Sequence, residues 1–378
     1  MKRFAYLTVC GALAVSVTAC GGSKEPAADQ TKTPAPAANT GTGNTELDQI
    51  YEAAKKEGEV TVVGQPGTNR EDLVKEFEKK YPGVKVKYTG IRNNEAQAKL
   101  AAEQAQGKYL SDVMLEGLNA QFDDISKYIV DPDIKNDKNW HGGYQLGLDL
   151  LKGAPQDGKY VYGLFPAPTI YVNNTFIPEG EIKTLKDLLD PKWKGKLLVK
   201  DFGKEGQSAV SLAALTITEG EDFVKQLVAT QPIISDDDRQ NAQWFSTGKY
   251  PIAIGLDTTQ LDKFKDNGVA TKIQRLQPDK AMFYTPFSLA VLKNPPHPNA
   301  SKLFVNWFLS KEGQEQFIDK LRNYLSRRTD VAEPTSPETI KWAKVDPVKA
   351  IPSYSKEGLV KVDWIIELGK TYKASLTK

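Results

Sequence analysis

The stretch EVTVVGQPGTNREDLVKEFEKKYPGVKVKY (residues 59–88) joins two kinds of sequence periodicity. Residues 59–63 are rich in β-branched side chains, which predicts a short buried strand. Apolar residues then recur at every third or fourth position over residues 70–81, and this spacing predicts an amphipathic helix. A Pro-Gly pair turns the chain, and the alternation of apolar residues over 84–88 predicts a second strand.

The same alternation continues on both sides of this stretch. Apolar residues at helical spacing over residues 47–54, with Gly58 placed to end the helix, predict a preceding helix. A helix over 94–106 and a strand over 112–115 are expected to follow. Strands that alternate with helices are typical of an α/β layer built on a mainly parallel sheet.

The middle of the chain interrupts this pattern. Residues 160–171 are β-prone but contain Pro166 and Pro168, which favours a crossing segment over a central strand. The pattern then restarts, with helices expected at 185–189, 208–218, 223–228, 239–245 and 303–309 and strands at 197–199, 250–256 and 287–292. Because the chain is too long for one ordinary domain, the sequence predicts two α/β lobes.

The N-terminal segment indicates export. Met1-Lys2-Arg3 precede an apolar run over residues 4–19, which is shorter than the roughly 20 residues of a membrane span. Residues 1–19 are therefore predicted to be a signal peptide. The cysteine that follows small residues resembles the lipobox of bacterial lipoproteins, which implies a lipid on Cys20; the alternative is an ordinary secretory signal. Residues 20–45 contain no aromatic residue, Leu, Ile or Val and are predicted to be a disordered tether.

Charge and composition limit the class of function. Lys and Arg total 50 and Asp and Glu total 48, so the chain lacks the basic excess of a nucleic-acid-binding domain. The only other cysteine, Cys10, lies in the predicted signal peptide, so no disulfide is expected. His141 and His297 are the only histidines, so most hydrolase mechanisms that use a catalytic histidine are disfavoured. A pair of catalytic carboxylates, as in glycosidases, is still compatible with the composition.

Three motifs, in a fixed order, carry a family resemblance. They are EGEVTV with FEKKYPGVKV (57–62 and 77–86), DLLDPKWKGK (187–196) and ASKLFVNWFLSKEGQ (300–314). Over about residues 46–328 the chain resembles the extracellular solute-binding proteins of bacterial ABC importers, specifically the branch that includes ferric-iron-binding proteins. Each motif also has a plain structural interpretation, such as Trp193 as an anchor under a turn.

The resemblance implies a two-lobed α/β fold of the periplasmic-binding-protein type II class, with hinge crossings and a ligand cleft between the lobes. Lobe one would hold residues 46–164 and 282–332, and lobe two residues 165–281 and 333–378. The crossings are expected near 165–171 and 282–287. The resemblance also implies a monomer without cofactors that delivers a small solute to an ABC permease, held outside the cytoplasm by lipid at Cys20.

Candidate ligand-binding residues follow from the rule that sites in open α/β sheets lie beyond the carboxyl ends of strands. This rule selects four loops. They contain Gln65, Thr68, Asn69, Glu116, Asn119, Gly206, Gln207, Ser208, Asp257, Thr258 and Thr259.

The loop that ends at Ser208 is the strongest anion candidate. Free N–H groups at a helix start attract carboxylate or phosphate, and glycines let the backbone approach closely. The resemblance implies that a small anion sits at Gly206, Gln207 and Ser208. The alternative is that Ser208 simply caps the helix.

Two positions bear on metal binding. The resemblance implies that Glu116 ligates iron if the ligand is ferric; the alternative is a solvated loop carboxylate. Where ferric-binding members carry two adjacent tyrosines, this chain has Thr258-Thr259 after Asp257. Neutral hydroxyls are weak ligands for a trivalent cation, so they suit an organic ligand or an oxyanion better.

Arg239 and two tyrosines complete the candidate set. Arg239 follows three aspartates, so its guanidinium either clamps an anion or pairs with those aspartates. Tyr171 and Tyr284 lie near the predicted crossings and either line the cleft or pack in the core.

The sequence therefore predicts a solute-binding lipoprotein of an ABC importer that captures an anion or organic anion. The alternatives are a ferric iron or ferric-complex binding protein and, from another class, a secreted hydrolase. No catalytic residue is assigned.

Overall fold

The computed structural model describes residues 45–117, 128–130, 139, 159–278, 283–335 and 351–376, which form two β-sheets with helices around them. The first sheet contains β1 (Glu59–Gly64), β2 (Lys85–Gly90), β3 (Val113–Gly117), β4 (Ile129–Val130), β5 (Lys159–Ala167), β11 (Phe283–Leu292), β12 (Leu325–Ser326) and β13 (Ile351–Pro352). The second contains β6 (Ile170–Asn173), β7 (Leu197–Lys200), β8 (Ile233–Ser235), β9 (Ile252–Ile254) and β10 (Ile273–Leu276).

The helices lie between these strands in the sequence. They are α1 (Thr45–Glu57), α2 (Thr68–Lys80), α3 (Asn93–Ala105), α4 (Gln207–Thr218), α5 (Glu221–Ala229), α6 (Asp238–Ser246), α7 (Thr258–Asp266), α8 (Pro298–Leu309), α9 (Lys311–Lys320) and α10 (Lys356–Leu376). Within the described ranges, no helix combines the length and the apolar character needed to cross a membrane.

Both sheets are mixed rather than mainly parallel. The first sheet has the order β12-β5-β11-β3-β1-β2, with β4 and β13 also paired to β11. Its β1 runs parallel to β2 and β3, whereas β11 is antiparallel to β3 and β5. The second sheet has the order β10-β6-β9-β7-β8, in which β7 is parallel to β8 and β9 and β6 is antiparallel to both of its neighbours. The predicted α/β class is confirmed.

The first and third sequence motifs meet in one hydrophobic core. The ring of Phe77 on α2 lies 5.2 Å from that of Phe304 and 5.5 Å from that of Trp307, both on α8. All of these side chains are buried beside the first sheet. Burying an aromatic side chain of this size contributes about 1.5–3 kcal/mol, so the two motifs, far apart in sequence, stabilise the same layer.

The second motif forms two short 3₁₀ turns, over Leu185–Leu189 and Pro191–Trp193. The helix expected at 185–189 is therefore a 3₁₀ helix and not an α-helix. Asp190 closes the second turn because its Oδ1 accepts the Lys192 N–H at 2.9 Å. Trp193 is buried in the core of the second sheet, as the anchor interpretation predicts.

The β-prone segment with two prolines differs from expectation. Residues 159–167 form β5, which lies inside the first sheet between β12 and β11 rather than crossing out of it. β12 pairs only with Gly163 and Leu164 of β5, so Pro166 has no neighbouring strand on that side. Proline, which lacks an N–H, is therefore tolerated at this position. The chain leaves the first sheet only at Pro168 and Thr169.

The guanidinium of Arg275 on β10 holds this passage between the sheets. Its Nη2 donates to the Pro166 carbonyl at 2.6 Å and to the Pro168 carbonyl at 2.8 Å. Thr169 is held in turn by α4, because its N–H donates to the Ser211 hydroxyl at 3.0 Å. The return passage lies between Leu276 at the end of β10 and Phe283 at the start of β11.

The C-terminal segment is shared between the sheets. Ile351 and Pro352 pair with Phe283 and Tyr284 of the first sheet, although residues 333–378 were assigned to lobe two. The helix that follows, α10, buries Val362 and Ile365 in the core of the second sheet. The predicted lobe boundaries otherwise stay a prediction.

Candidate functional site

Three helices begin along one edge of the second sheet. The strands β7, β8 and β9 are parallel, so their carboxyl ends lie at the same edge. α4, α6 and α7 follow these strands directly, and the unpaired N–H groups of their first turns therefore lie at that edge. The candidate residues chosen around 206, 239 and 258 share this edge.

The start of α4 has no side-chain cap. Gly206 occupies the N-cap position, and the helix begins at Gln207. Ser208 is fully buried, and its hydroxyl donates to the Asp201 carbonyl at 3.2 Å. The capping alternative for Ser208 is therefore wrong, because its hydroxyl is bonded to the preceding loop. Among the described residues, no side chain caps the first N–H groups of α4.

The end of β9 packs directly against this helix start. Gly255 has φ +74°, and a Cβ at this position would lie 2.5 Å from Cβ and 2.8 Å from N of Ser208. Only glycine permits both this left-handed backbone and this approach. The contact fixes the spacing between the starts of α4 and α7.

The C-terminal helix α10 packs against the loop that precedes α4 (residues 201–206). Lys373 Nζ lies 2.7 Å from Asp201 Oδ2, and Asp201 Oδ1 accepts the Gly203 N–H at 3.0 Å. Burial opposes ionisation of Asp201, but the bonds from Lys373 and Gly203 outweigh it and hold its pKa below the usual value. A Cβ on Gly369 would lie 2.6 Å from Gly203 N, so α10 approaches through a glycine. Lys373 and Gly369 lie too far along the chain for sequence spacing to reveal this support.

The start of α7 carries two unengaged hydroxyls. Asp257 is the N-cap residue, and its Oδ1 accepts the Gln260 N–H at 3.1 Å. Thr258 and Thr259 occupy the first turn and are half-buried. Neither hydroxyl has a hydrogen-bond partner within the described ranges. This arrangement offers donors to a ligand while the helix stays capped.

The start of α6 separates Arg239 from the aspartates beside it. Asp236 pairs with Lys204, Asp237 accepts the Gln240 N–H at 2.9 Å, and Asp238 lies 2.5 Å from Lys200. Burial raises the pKa of Asp238 despite Lys200. Arg239 is exposed and, in the part of the chain that the structure describes, has no ion pair or hydrogen bond. The alternative that pairs Arg239 with these aspartates is therefore wrong, because other partners already take them.

The first sheet contributes a buried polar network at the start of α2. Arg70 Nη2 donates to Gln65 Oε1 at 3.1 Å and to the Tyr324 hydroxyl at 2.7 Å. The Tyr88 hydroxyl donates to the Gln65 carbonyl at 2.6 Å. Through these two bonds, Gln65 ties the loop between β1 and α2 to Arg70 and Tyr88.

Two other candidates in this loop behave differently from Gln65. Asn69 donates through Nδ2 to the Lys320 carbonyl at 3.1 Å, so it ties α2 to the end of α9. Thr68 is exposed, and its hydroxyl lies 3.5 Å from Asn69 Oδ1. The sequence-based candidates do not include Arg70 and Tyr324. Arg70 could have been found, because a positive charge in the first turn of a helix is unfavourable for the helix dipole and therefore unusual.

Glu116 is the most unusual ionisable group near this network. It belongs to β3 rather than to the following loop, and it is 0% exposed. Neither carboxyl oxygen has a side-chain hydrogen-bond partner among the described residues. Burial raises its pKa to about 8, although the Arg70 charge and the Gly117 N–H act in the opposite direction. The alternative of a solvated loop carboxylate is wrong, because the strand carries the side chain into the interior.

Two of the remaining candidates, Tyr171 and Tyr284, do not join the site. Asn119 lies outside the described residues. Tyr171 is buried in a cluster with Leu198 and Phe245, and Tyr284 is buried in another with Val161. Both rings are therefore inaccessible to a ligand in this structure. Burial raises the pKa of Tyr284 to about 12.

The two helix starts, α2 and α7, face each other. A Cβ on Gly67, the N-cap of α2, would lie 3.5 Å from Thr259 Cγ2 on α7. At the opposite end of α7, Arg322 Nη1 lies 3.4 Å from Asp266 Oδ1. Residues from both sheets therefore border the space beyond the strand ends. Within the described ranges, no group of three or more His, Cys, Asp or Glu side chains is placed to hold a metal ion.

The fold is found in several solved structures. Iron-bound HitA from Pseudomonas aeruginosa is 16% identical, with coverage of 83% of this chain and 99% of that chain and a TM-score of 0.60. A substrate-binding protein of an ABC transporter from Agrobacterium tumefaciens is 15% identical, with coverage of 83% and 94% and a TM-score of 0.63. AfuA from Actinobacillus pleuropneumoniae, with bound fructose-6-phosphate, is 21% identical, with coverage of 82% and 97% and a TM-score of 0.56. At these identities the likeness shows the fold of periplasmic binding proteins and nothing about the ligand.

Sequence relatives give the family. A Haemophilus influenzae protein described as uncharacterized is 30% identical over 138 residues, which is 35% of this chain and only 39% of that relative. The profile of the bacterial extracellular solute-binding protein family matches residues 72–347, the greater part of the chain. The predicted resemblance is confirmed, and the chain belongs to the bacterial extracellular solute-binding protein family.

Proposed function

We propose that this protein captures a small anion or organic anion between its two sheets and delivers it to an ABC permease. The family is one of extracytoplasmic transport proteins rather than a class of enzymes. The observation that carries the proposal is the second-sheet edge, where Arg239 and the hydroxyls of Thr258 and Thr259 have no partners among the described residues.

The chemistry of this edge favours negative charge. The first amides of α4 have no side-chain cap, and helix starts attract anions through their free N–H groups and the helix dipole. An arginine adds a planar set of donors that suits carboxylate or phosphate. The aspartates of the same edge are bonded to lysines or to helix N–H groups, so their charges are partly offset.

Ferric iron is the competing ligand, and it would need other chemistry. A trivalent cation prefers hard anionic oxygens, whereas the start of α7 offers the neutral Thr258 and Thr259. Iron-bound HitA shares the fold at 16% identity, which does not transfer the ligand. A ferric complex with an organic anion is therefore kept as a probe in the test.

The experiment is a thermal-shift screen of the full chain, followed by calorimetry with each ligand that shifts the transition. Probes are inorganic phosphate, small carboxylates, ethyl phosphate, ferric citrate and glucose. A ligand that binds the folded state raises the melting temperature by mass action. We expect phosphate or a carboxylate to bind and glucose not to bind.

The variant Arg239→Ala/Thr258→Val/Thr259→Val should weaken anion binding by about a hundredfold, since each lost hydrogen bond to charge is worth roughly 1.5–3 kcal/mol and the losses are not additive. Lys263→Ala is the control, because it removes an equal charge from the later part of α7. An unchanged anion affinity in the triple variant, or binding of ferric citrate alone, would refute the anion site.

We propose further that Cys20 carries a lipid and that residues 20–45 act as a tether. The support is the sequence: a short apolar run, small residues and then cysteine. In the native host, Cys20→Ala should move the protein from the membrane fraction to the soluble fraction, whereas Cys10→Ala should not. Membrane retention of Cys20→Ala would contradict the lipid anchor.

A further inference from the structure

A second exposed arginine lies just beyond the end of β2. Arg92 is the N-cap residue of α3, and its side chain makes no ion pair or hydrogen bond with any residue that the structure describes. A positive charge at a helix start is unfavourable for the helix dipole, so Arg92 does not stabilise α3. The guanidinium is therefore available to a ligand, and its place in the fold decides which ligand it can reach.

The first sheet places Arg92 beside the loop between β1 and α2. Gly90 and Gly64 are partners at the carboxyl ends of the parallel strands β2 and β1. The Ile91 N–H donates to the Gly64 carbonyl at 2.9 Å. A Cβ on Gly90 would lie 2.9 Å from Pro66 Cα. The chain therefore leaves β2 in contact with this loop, and Arg92 follows two residues after the contact.

The same loop contacts the proposed anion-binding edge of the second sheet. Gly67 directly follows Pro66, and a Cβ on Gly67 would lie 3.5 Å from Thr259 Cγ2 at the start of α7. One short segment, residues 66–67, thus contacts both the end of β2 and the start of α7. Arg92 is therefore close to the space that Thr259 borders.

An electrostatic contact between the sheets gives the same placement. Burial raises the pKa of Asp238 at the start of α6, and the charges of Lys200 and Arg92 oppose this rise. Arg92 belongs to the first sheet, so its charge acts across to the second. The strand order agrees, because β1 and β2 are neighbours and α7 and α6 follow β9 and β8 along one edge. Arg92 and Arg239, the residue after Asp238, therefore border the same space.

We infer that the ligand is a dianion and that Arg92 binds its second negative charge. The inference rests on the proposed function, in which Arg239, Thr258 and Thr259 hold the first charge from the second sheet. Two arginines that border one space repel each other, and a dianion between them replaces this repulsion with two attractions. A guanidinium matches both carboxylate and phosphate, so dicarboxylates and phosphate monoesters have the required chemistry.

The test uses pairs of probes of similar size that carry two charges or one. Calorimetry at about pH 8, where phosphate monoesters carry two charges, compares succinate with succinamate and ethyl phosphate with dimethyl phosphate. In the wild type, the dianion of at least one pair should bind more than about tenfold tighter than its partner. Arg92→Gln should bring this ratio of affinities close to one. Lys108→Gln is the control, because it removes an equal, exposed charge beyond the opposite end of α3 and should keep the ratio.

Other results separate the two proposals. If the singly charged probes bind the wild type as tightly as the dianions, the dianion is refuted while the anion site stands. If Arg92→Gln weakens both members of a pair equally, so that the ratio persists, Arg92 does not receive the second charge and the inference fails. The same holds if Lys108→Gln lowers the ratio as much as Arg92→Gln does. If no anionic probe binds, or ferric citrate alone binds, both proposals fail.

Discussion

Desolvation outweighs nearby charge at Glu116. The Arg70 guanidinium and the Gly117 N–H favour the carboxylate, yet burial raises the pKa to about 8. The folded protein therefore binds a proton near neutral pH that the unfolded chain, with an ordinary pKa near 4.5, has already lost. The neutral form of Glu116 therefore contributes its full stability below the pKa that Glu116 has in the unfolded chain. This stability is lost as the pH rises through the pKa that Glu116 has in the folded protein.

We expect the free energy of unfolding to decrease by about 3–4 kcal/mol between pH 5 and pH 8 in the wild type, because it falls by about 1.4 kcal/mol per pH unit between the unfolded and the folded pKa. Glu116→Gln, which is neutral in both states, should remove most of this decrease. Glu95→Gln, an exposed residue of α3, is the control and should keep the wild-type slope. Urea unfolding across this pH range measures the effect, and equal slopes in wild type and Glu116→Gln would contradict it.

At the level of elements, the starts of α4 and α7 depend on the packing of β9 against α4. Gly255 is the contact point, because its missing Cβ leaves room for the backbone of Ser208. α10 also contacts the loop before α4, through Lys373 and Gly369. The positions of these two helix starts thus depend on β9 and α10, which carry none of the proposed ligand-binding residues.

A matched pair of glycine variants tests this packing. Gly255 and Gly268 have φ +74° and +75°, but a Cβ on Gly268 would meet nothing within 4 Å. Gly268→Ala should cost about 1–2 kcal/mol for the left-handed backbone alone. Gly255→Ala should cost about 1–3 kcal/mol more because of steric overlap. Thermal unfolding compares the two, and equal melting temperatures would show that β9 does not press on α4.

At the level of the whole molecule, one buried cation holds the passage by which the chain leaves the first sheet for the second. Arg275 binds the carbonyls of Pro166 and Pro168, at the point where the chain leaves the first sheet. Thr169 is bonded to Ser211 of α4, so the same passage contacts the helix whose start forms part of the proposed anion-binding edge. The passage and the site are therefore mechanically connected.

Loss of this cation should destabilise the chain markedly. Arg275→Met leaves buried carbonyls without donors, which costs about 1–3 kcal/mol for each unsatisfied group. Arg239→Met removes an arginine that is exposed and has no partner among the described residues, so it should change stability by less than about 0.5 kcal/mol. Urea unfolding of the two variants measures the difference; a similar small effect in both would show that the passage does not depend on Arg275.

The sequence alone was sufficient for the α/β class, for most helix and strand positions and for the family. These depend on local periodicity and on turn residues, as in residues 59–88, where the helix and both strands appear as expected. It also selected the loops at the strand ends, since those follow from the order of elements. The outcome for β5 differs because the tolerance of Pro166 depends on how far its neighbour β12 extends, which local sequence does not encode.

Only the tertiary structure determined the state of individual site residues. Ser208 bonds to a loop instead of capping a helix, Arg239 is free of its neighbouring aspartates, and Glu116 is buried with no side-chain hydrogen bond among the described residues. Each of these outcomes depends on which distant groups the fold brings within hydrogen-bond range. Periodicity reports which face of an element is buried, whereas hydrogen-bond partners and pKa values depend on contacts between residues far apart in the sequence.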